Sequence, residues 1–257
     1  MTLLITRRQF TLAAPLLLAA PNAFAKAPHP ATQPMDRLAL PWWRERFAAK
    51  QAEIKSGQFD VAFYGDSILQ YLEHAAPPDY LDFVPVWTQF YGHRRAINLG
   101  FKGDATSHLL WRIENGETTG IAPRAAVVLI GANNFGHLHW PAEPSFEGVT
   151  VIIEALKSRL PRTKILLLAV LPSIRNPWVD AQTTAINAML AARYGTGADP
   201  RVTYRDLAPI FMANGQVNRE AFLDIHLTPP DPPLHPSVAS AHAMLAAIEP
   251  WMRKVLG

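Results

Sequence analysis

Three observations predict a three-layer α/β/α fold around a five-stranded parallel sheet. Short apolar runs recur along the chain at 59–64, 95–99, 125–130, 164–171 and, more weakly, 201–204. Four of them close on a glycine or a proline: Gly65, Gly100, Gly131 and Pro172. The segments between them carry helical rather than alternating periodicity. Continuous apolar strands separated by amphipathic helices need cover on both faces, which is the condition of a parallel sheet.

Each element has its own justification. Residues 26–41 are rich in proline and lack periodicity, so they read as a lead-in wrapping the surface. Residues 42–55 read as a helix, with Trp43, Phe47 and Ile54 on one face. In 145–160, Phe146, Val149, Ile153, Leu156 and Leu160 recur at helical spacing, and 180–194 is also helix-like. The last helix opens near Ser237 and repeats Val238, Leu245, Ile248 and Met252. No internal repeat, low-complexity tract or linker follows residue 41, so 26–257 is expected to form one domain.

The N-terminus predicts export. Arg7-Arg8-Gln9-Phe10 precedes the apolar run 11–20 and then Ala23-Phe24-Ala25. A charged start, a short apolar stretch and an A-x-A site form a cleavable signal, here of the twin-arginine type, ending at Ala25. The apolar run is broken by Pro15 and is short for a membrane span. The mature protein is therefore expected in the periplasm or medium, without a stable membrane span.

The formal charge is +3, and two of those charges are Arg7 and Arg8, which leaves the remainder close to neutral. No basic run or nucleic-acid motif is present, so nucleic acid is not an expected partner. The absence of cysteine excludes disulfides, thiolate metal sites and a cysteine nucleophile.

In a parallel sheet of this kind, ligands bind at the carboxyl ends of the strands. Gly65-Asp66-Ser67 follows the first strand directly. A helix opening at Ile68 would put Ser67 beside unpaired N–H groups and the positive end of the helix dipole. By itself the triplet could equally be a capped turn. The second strand, however, ends in Asn98-Leu99-Gly100 and the third in Gly131-Ala132-Asn133-Asn134. Three successive strand ends thus offer a nucleophilic hydroxyl, a glycine permitting close backbone approach, and an amide donor.

These residues, in this order, resemble the first three sequence blocks of SGNH (GDSL-like) hydrolases. The stretch from Ala96 to Ile113, followed by Asn115-Gly116-Glu117, is similar to the catalytic alpha subunits of the platelet-activating-factor acetylhydrolase branch. The resemblance implies a flavodoxin-like sheet and metal-free hydrolysis of small acyl esters, without a cofactor. It implies that Ser67 attacks the acyl carbon, and that the N–H groups of Ser67 and Gly100 and the side chain of Asn133 stabilise the oxyanion.

The family places an aspartate three residues before its catalytic histidine, and this chain departs from that spacing. It offers Asp224-Ile225-His226, one residue too short, and Asp231-Pro232-Pro233-Leu234-His235, one too long. His235 is favoured as the base because the final helix begins just after it, the place that the resemblance implies for the catalytic histidine. Asp231 is the nearer acid, while Asp224 could reach His235 if the proline-rich segment folds back. His137 and His139, past the third strand, are candidates for lining the pocket. Trp111 reads as core, Arg112 as a structural ion pair, and Trp178 as a pocket wall or sheet cover.

The expected function is an exported serine esterase for small acyl esters, acetyl above all, with a small-molecule or carbohydrate alcohol. Two alternatives share the scaffold: an acyltransferase acting on an exported polysaccharide, and a carbohydrate-binding protein whose dyad has been lost.

Overall fold

The computed structural model describes residues 27–75 and 78–257. The expected signal, 1–25, lies outside the described residues. Five parallel strands form the central sheet: β1 (Val61–Gly65), β2 (Ala96–Gly100), β3 (Ala125–Leu129), β4 (Lys164–Leu168) and β5 (Val202–Arg205). Their spatial order is β2-β1-β3-β4-β5, so the connection reverses direction beside β1. Such a reversal opens a crevice at the carboxyl ends of the flanking strands.

The helices are α1 (Pro41–Ser56), α2 (Ser67–Gln70), α3 (Val84–Tyr91), α4 (Thr106–Arg112), α5 (Ala132–Gly136), α6 (Ala142–Arg159), α7 (Pro177–Tyr194) and α8 (Val238–Leu256). A small antiparallel pair, Met212–Ala213 with Gln216–Val217, lies outside the main sheet. No helix among the described residues is long and apolar enough to cross a membrane.

The sheet separates two cores because successive side chains point to opposite faces. Ala62, Tyr64, Ile97, Leu99, Val128 and Leu167 pack with Leu109, Val149, Ile153 and Leu156 on one side. Phe63, Val127, Leu166 and Leu168 pack with Leu69, Met244, Leu245 and Ile248 on the other. All five residues of β1 and of β3 are buried, which explains why these strands read as unbroken apolar runs.

The lead-in is more than a surface wrap. Pro30–Thr32 makes a 3-10 turn, Ala31 is fully buried, and its carbonyl accepts a hydrogen bond from Thr106 Oγ1 at 2.8 Å. Trp43 of α1 is likewise buried and stacks on Phe47, as the apolar face of that helix predicts.

Under the carboxyl edge of the sheet lies a buried charge network. Arg112 is fully enclosed, donates to Asp104 Oδ2 at 2.9 Å, and also pairs with Glu117. Its guanidinium donates as well to the Leu99 and Gly65 carbonyls, both at 3.1 Å. Asp104 Oδ1 accepts from Trp43 Nε1 at 2.8 Å. The structural ion pair expected of Arg112 therefore ties β1 and β2 to the loop that follows β2. Burial pushes the Glu117 carboxyl up to about 7, against the pull of Arg112. Removing one member of such a network costs about 3–5 kcal/mol, because an unpaired charge is left behind.

Candidate active site

Ser67 is the first residue of α2, immediately after β1, and is buried. Asp66 caps this short helix by accepting the Ile68 N–H on Oδ1 at 3.0 Å. The cap starts α2 at Ser67, and the Ser67 N–H has no acceptor among the described residues, as expected for the first turn of a helix.

Ser67 Oγ lies 2.9 Å from His235 Nε2. His235 Nδ1 lies 2.7 Å from Asp224 Oδ1. The other carboxylate oxygen, Asp224 Oδ2, accepts the backbone N–H groups of Leu234 at 2.7 Å and His235 at 2.6 Å. Asp224 is buried and receives three donors. It is thus held as an acceptor that fixes the imidazole tautomer and leaves Nε2 free to take a proton from Ser67.

This arrangement corrects the assignment of Asp231. Asp231 is exposed, and its tie to the site is its backbone N–H, which donates to the Asp224 carbonyl at 3.0 Å. The segment 227–235 folds back on Asp224, so an acid eleven residues before the histidine reaches it. The spacing that departs from the family pattern is therefore compatible with an intact serine–histidine–aspartate relay. His226 is exposed and packs against the Tyr80 ring, with centroids 5.8 Å apart.

The second correction concerns Gly100. Its N–H already donates to Asn98 Oδ1 at 2.9 Å and cannot serve an oxyanion. Gly100 is required for packing instead. A Cβ there would lie 2.4 Å from the Gln70 nitrogen and 2.8 Å from the Asp66 carbonyl oxygen, so only glycine lets α2 settle against β2. The free N–H after β2 belongs to Gly103, which has φ +75° and sits in the turn closed by Asp104 N–H to the Phe101 carbonyl at 3.1 Å. Among the described residues this N–H has no acceptor, and a positive φ is a conformation glycine adopts without steric cost.

Asn133 is buried on the first turn of α5, and its Nδ2 donates to the Asp104 carbonyl at 2.9 Å. That contact uses one of the two amide hydrogens and holds Nδ2 against the carbonyl of Asp104, the residue after Gly103. Asn134 is structural: its side chain bonds the Thr106 N–H and the hydroxyls of Thr106 and Ser145, joining α4 to α6.

Several participants carried no sequence signal. The Tyr71 ring packs on the His235 imidazole, with centroids 4.7 Å apart. Arg175 donates to the Ala132 carbonyl at 2.9 Å and so braces the turn bearing Asn133. A groove of about 650 Å³ opens beside Gly103, lined by Arg37, Trp42, Lys102, His108, His137 and Leu138. His137 therefore lines the pocket. Burial, with the positive charge of Arg175 and Arg37, pushes its imidazole below the usual value. His139 and Trp178 pack on one another, with centroids 5.7 Å apart. His108 accepts the Ala105 N–H on Nδ1, and burial lowers it to about 4, so it is a neutral structural acceptor.

Asp66 is enclosed, its Oδ2 has no partner among the described residues, and burial pushes its carboxyl up to about 7. A carboxyl whose value is raised on folding binds its proton more tightly in the folded state. Stability is then lost as the pH climbs from about 4 through about 7. Asp66→Asn keeps the cap oxygen without the charge. Its melting temperature relative to wild type should therefore rise between pH 5 and pH 8; a constant difference across that range would show that Asp66 stays ionised.

Fold and site together define an SGNH-type hydrolase. Residues 63–242 match the model of the GDSL-like Lipase/Acylhydrolase family. The chain belongs to that family and is a carboxylic-ester hydrolase. It is 30% identical over 189 residues to the platelet-activating factor acetylhydrolase IB subunit alpha2 of Gallus gallus, covering 72% of this chain and 76% of the relative. It is 29% identical over 180 residues to the alpha1 subunit of Homo sapiens, covering 69% and 72%. The fold is shared with a GDSL-like lipase from Bacteroides thetaiotaomicron, at TM-score 0.61 and 17% identity over 82% of this chain and 97% of that one. It is shared also with a carbohydrate esterase family 3 protein from Talaromyces cellulolyticus, at TM-score 0.54 and 16% identity over 77% and 97%.

Proposed function

We propose that the protein is an exported serine esterase that removes small acyl groups, acetyl above all, from a small-molecule or carbohydrate alcohol. The observation that carries this reading is the continuous relay from Ser67 Oγ through His235 to Asp224, at 2.9 and 2.7 Å. Ser67 Oγ attacks the ester carbon while His235 Nε2 takes its proton. The resulting oxyanion is met by the N–H groups of Ser67 and Gly103 and by Asn133 Nδ2. His235 then protonates the departing alcohol, and a water activated by the same imidazole releases the acid from Ser67.

The names of similar proteins support a small acyl group, since they include acetylhydrolase subunits and a carbohydrate esterase. The alcohol side has the groove beside Gly103, where the exposed Trp42 and the polar Lys102 and His137 suit a sugar ring.

The test compares p-nitrophenyl acetate with p-nitrophenyl octanoate. The acetate should be cleaved with kcat/KM at least about tenfold higher, a difference of about 1.4 kcal/mol in transition-state stabilisation. Equal rates would remove the small-acyl reading, and inertness toward both would remove the esterase reading. Export is tested by sequencing the N-terminus of protein recovered outside the cytoplasm, which should begin at Lys26.

A further inference from the structure

The Gly103 turn is gripped from outside the segment that matches the family model. Arg37 belongs to the lead-in before α1, and its Nη1 donates to two acceptors at once: the Lys102 carbonyl at 2.9 Å and Asp104 Oδ1 at 3.1 Å. These acceptors flank Gly103 on either side in the chain. A Cβ on Gly103 would stand 3.0 Å from Arg37 Nη1, so the guanidinium lies directly against the turn. The lead-in is itself anchored. Met35 N–H donates to the Ser107 carbonyl at 3.1 Å, and the Arg37 guanidinium stands 5.5 Å from the centre of the Trp42 ring.

We propose that Arg37 is a positioning residue for the oxyanion hole. It pins both sides of the Gly103 peptide so that this N–H keeps its aim at the reacting carbonyl. The proposal rests on the esterase reading above, and it adds a residue from the lead-in to the machinery. A purely structural role for Arg37 fits the surroundings less well. Asp104 keeps Arg112 and Trp43 as donors when Arg37 is removed, so no buried charge is stranded. The Arg37 side chain is 22% exposed, so its truncation opens no closed cavity. What it alone supplies is the bond to the Lys102 carbonyl. Preorganised donors act because they cost no reorganisation at the moment of reaction, and a loosened turn gives up that advantage.

The experiment uses the full mature chain with Arg37→Ala and Arg37→Lys, beside wild type. With p-nitrophenyl acetate, Arg37→Ala should lower kcat by about ten- to a hundredfold, less than the loss of an oxyanion donor outright. KM is free to change as well, because Arg37 also lines the groove given to the alcohol, so the effect is read on kcat at saturating substrate. Arg37→Lys, able to reach one acceptor, should recover part of kcat, and added guanidinium ion at millimolar concentration should recover part of it in Arg37→Ala. Amide hydrogen exchange gives a readout that needs no activity: Lys102 and Asp104 should exchange faster in Arg37→Ala, while β1 and α4 keep their protection.

Unchanged exchange at Lys102 and Asp104, or a kcat within threefold of wild type, would overturn the proposal. Faster exchange spread through β1 and α4 would also overturn it, by showing a general structural role. An inert wild type would sink the esterase reading instead, and the exchange result would still decide whether Arg37 pins the turn.

Discussion

Ser67→Ala should lower kcat for p-nitrophenyl acetate by at least about a thousandfold, a loss of about 4 kcal/mol of transition-state stabilisation. The variant keeps the backbone N–H groups and Asn133, so what remains is the contribution of the oxyanion hole without a nucleophile. Stability should change little. The hydroxyl removed makes one hydrogen bond, to His235, and a bond of that kind contributes about 1 kcal/mol net. A melting temperature within a few degrees of wild type is therefore expected, and the activity loss can be read as chemistry. Covalent labelling offers a second view: a fluorophosphonate should modify Ser67 in the wild type and nothing in the variant. If Ser67→Ala retained more than a tenth of the activity, the nucleophile would have to be sought elsewhere.

The second large effect separates two aspartates. Asp224→Asn should lower kcat by about a hundred- to ten-thousandfold, because the amide lacks the charge that stabilises the imidazolium and can present the wrong group to Nδ1. Asp231→Asn should stay within about twofold of wild type, as expected for an exposed side chain away from the relay. Asp224 also receives the Leu234 and His235 N–H groups, so Asp224→Ala should cost stability in addition, as two partly buried donors lose their acceptor. Measuring kcat and melting temperature for all three variants distinguishes the roles. A large loss in Asp231→Asn with none in Asp224→Asn would mean that the loop 227–235 takes another course in solution.

Much of this molecule is legible locally. The apolar runs of β1 and β3 are unbroken because both faces of a central parallel strand are covered. Val149, Ile153 and Leu156 repeat at helical spacing because α6 turns one side to the sheet. Ser67 and Asn133 were visible for the same reason: each is the start of a helix that follows a strand, and that position is set by neighbours in sequence.

The misread residues share a different dependence. Gly100 and Gly103 are three positions apart, and residue type does not say which N–H is free. The Asn98 side chain, two residues back, takes the Gly100 N–H, and the backbone of α2, some thirty residues earlier in the chain, presses on Gly100. Asp231 stands nearer to His235 in sequence than Asp224 does, yet sequence distance is a poor guide across a proline-rich segment able to fold back. Arg37, Tyr71 and Arg175 had no motif at all, since each acts through a contact made across the fold.

Periodicity and strand-end chemistry therefore determined, from the sequence by itself, the layered fold and the candidate nucleophile and amide donor, and the resemblance to SGNH hydrolases pointed to His235 as the candidate base. The fold and the strand-end candidates are consequences of short-range geometry, in which a residue's place follows from the period of the element that carries it. Only the tertiary structure brought Asp224 rather than Asp231 to His235, left the Gly103 N–H without an acceptor among the described residues, and set Arg37 against the Gly103 turn. The Asp224 and Arg37 contacts join segments apart in the chain, and a donor's availability is known only when every competing acceptor has been placed.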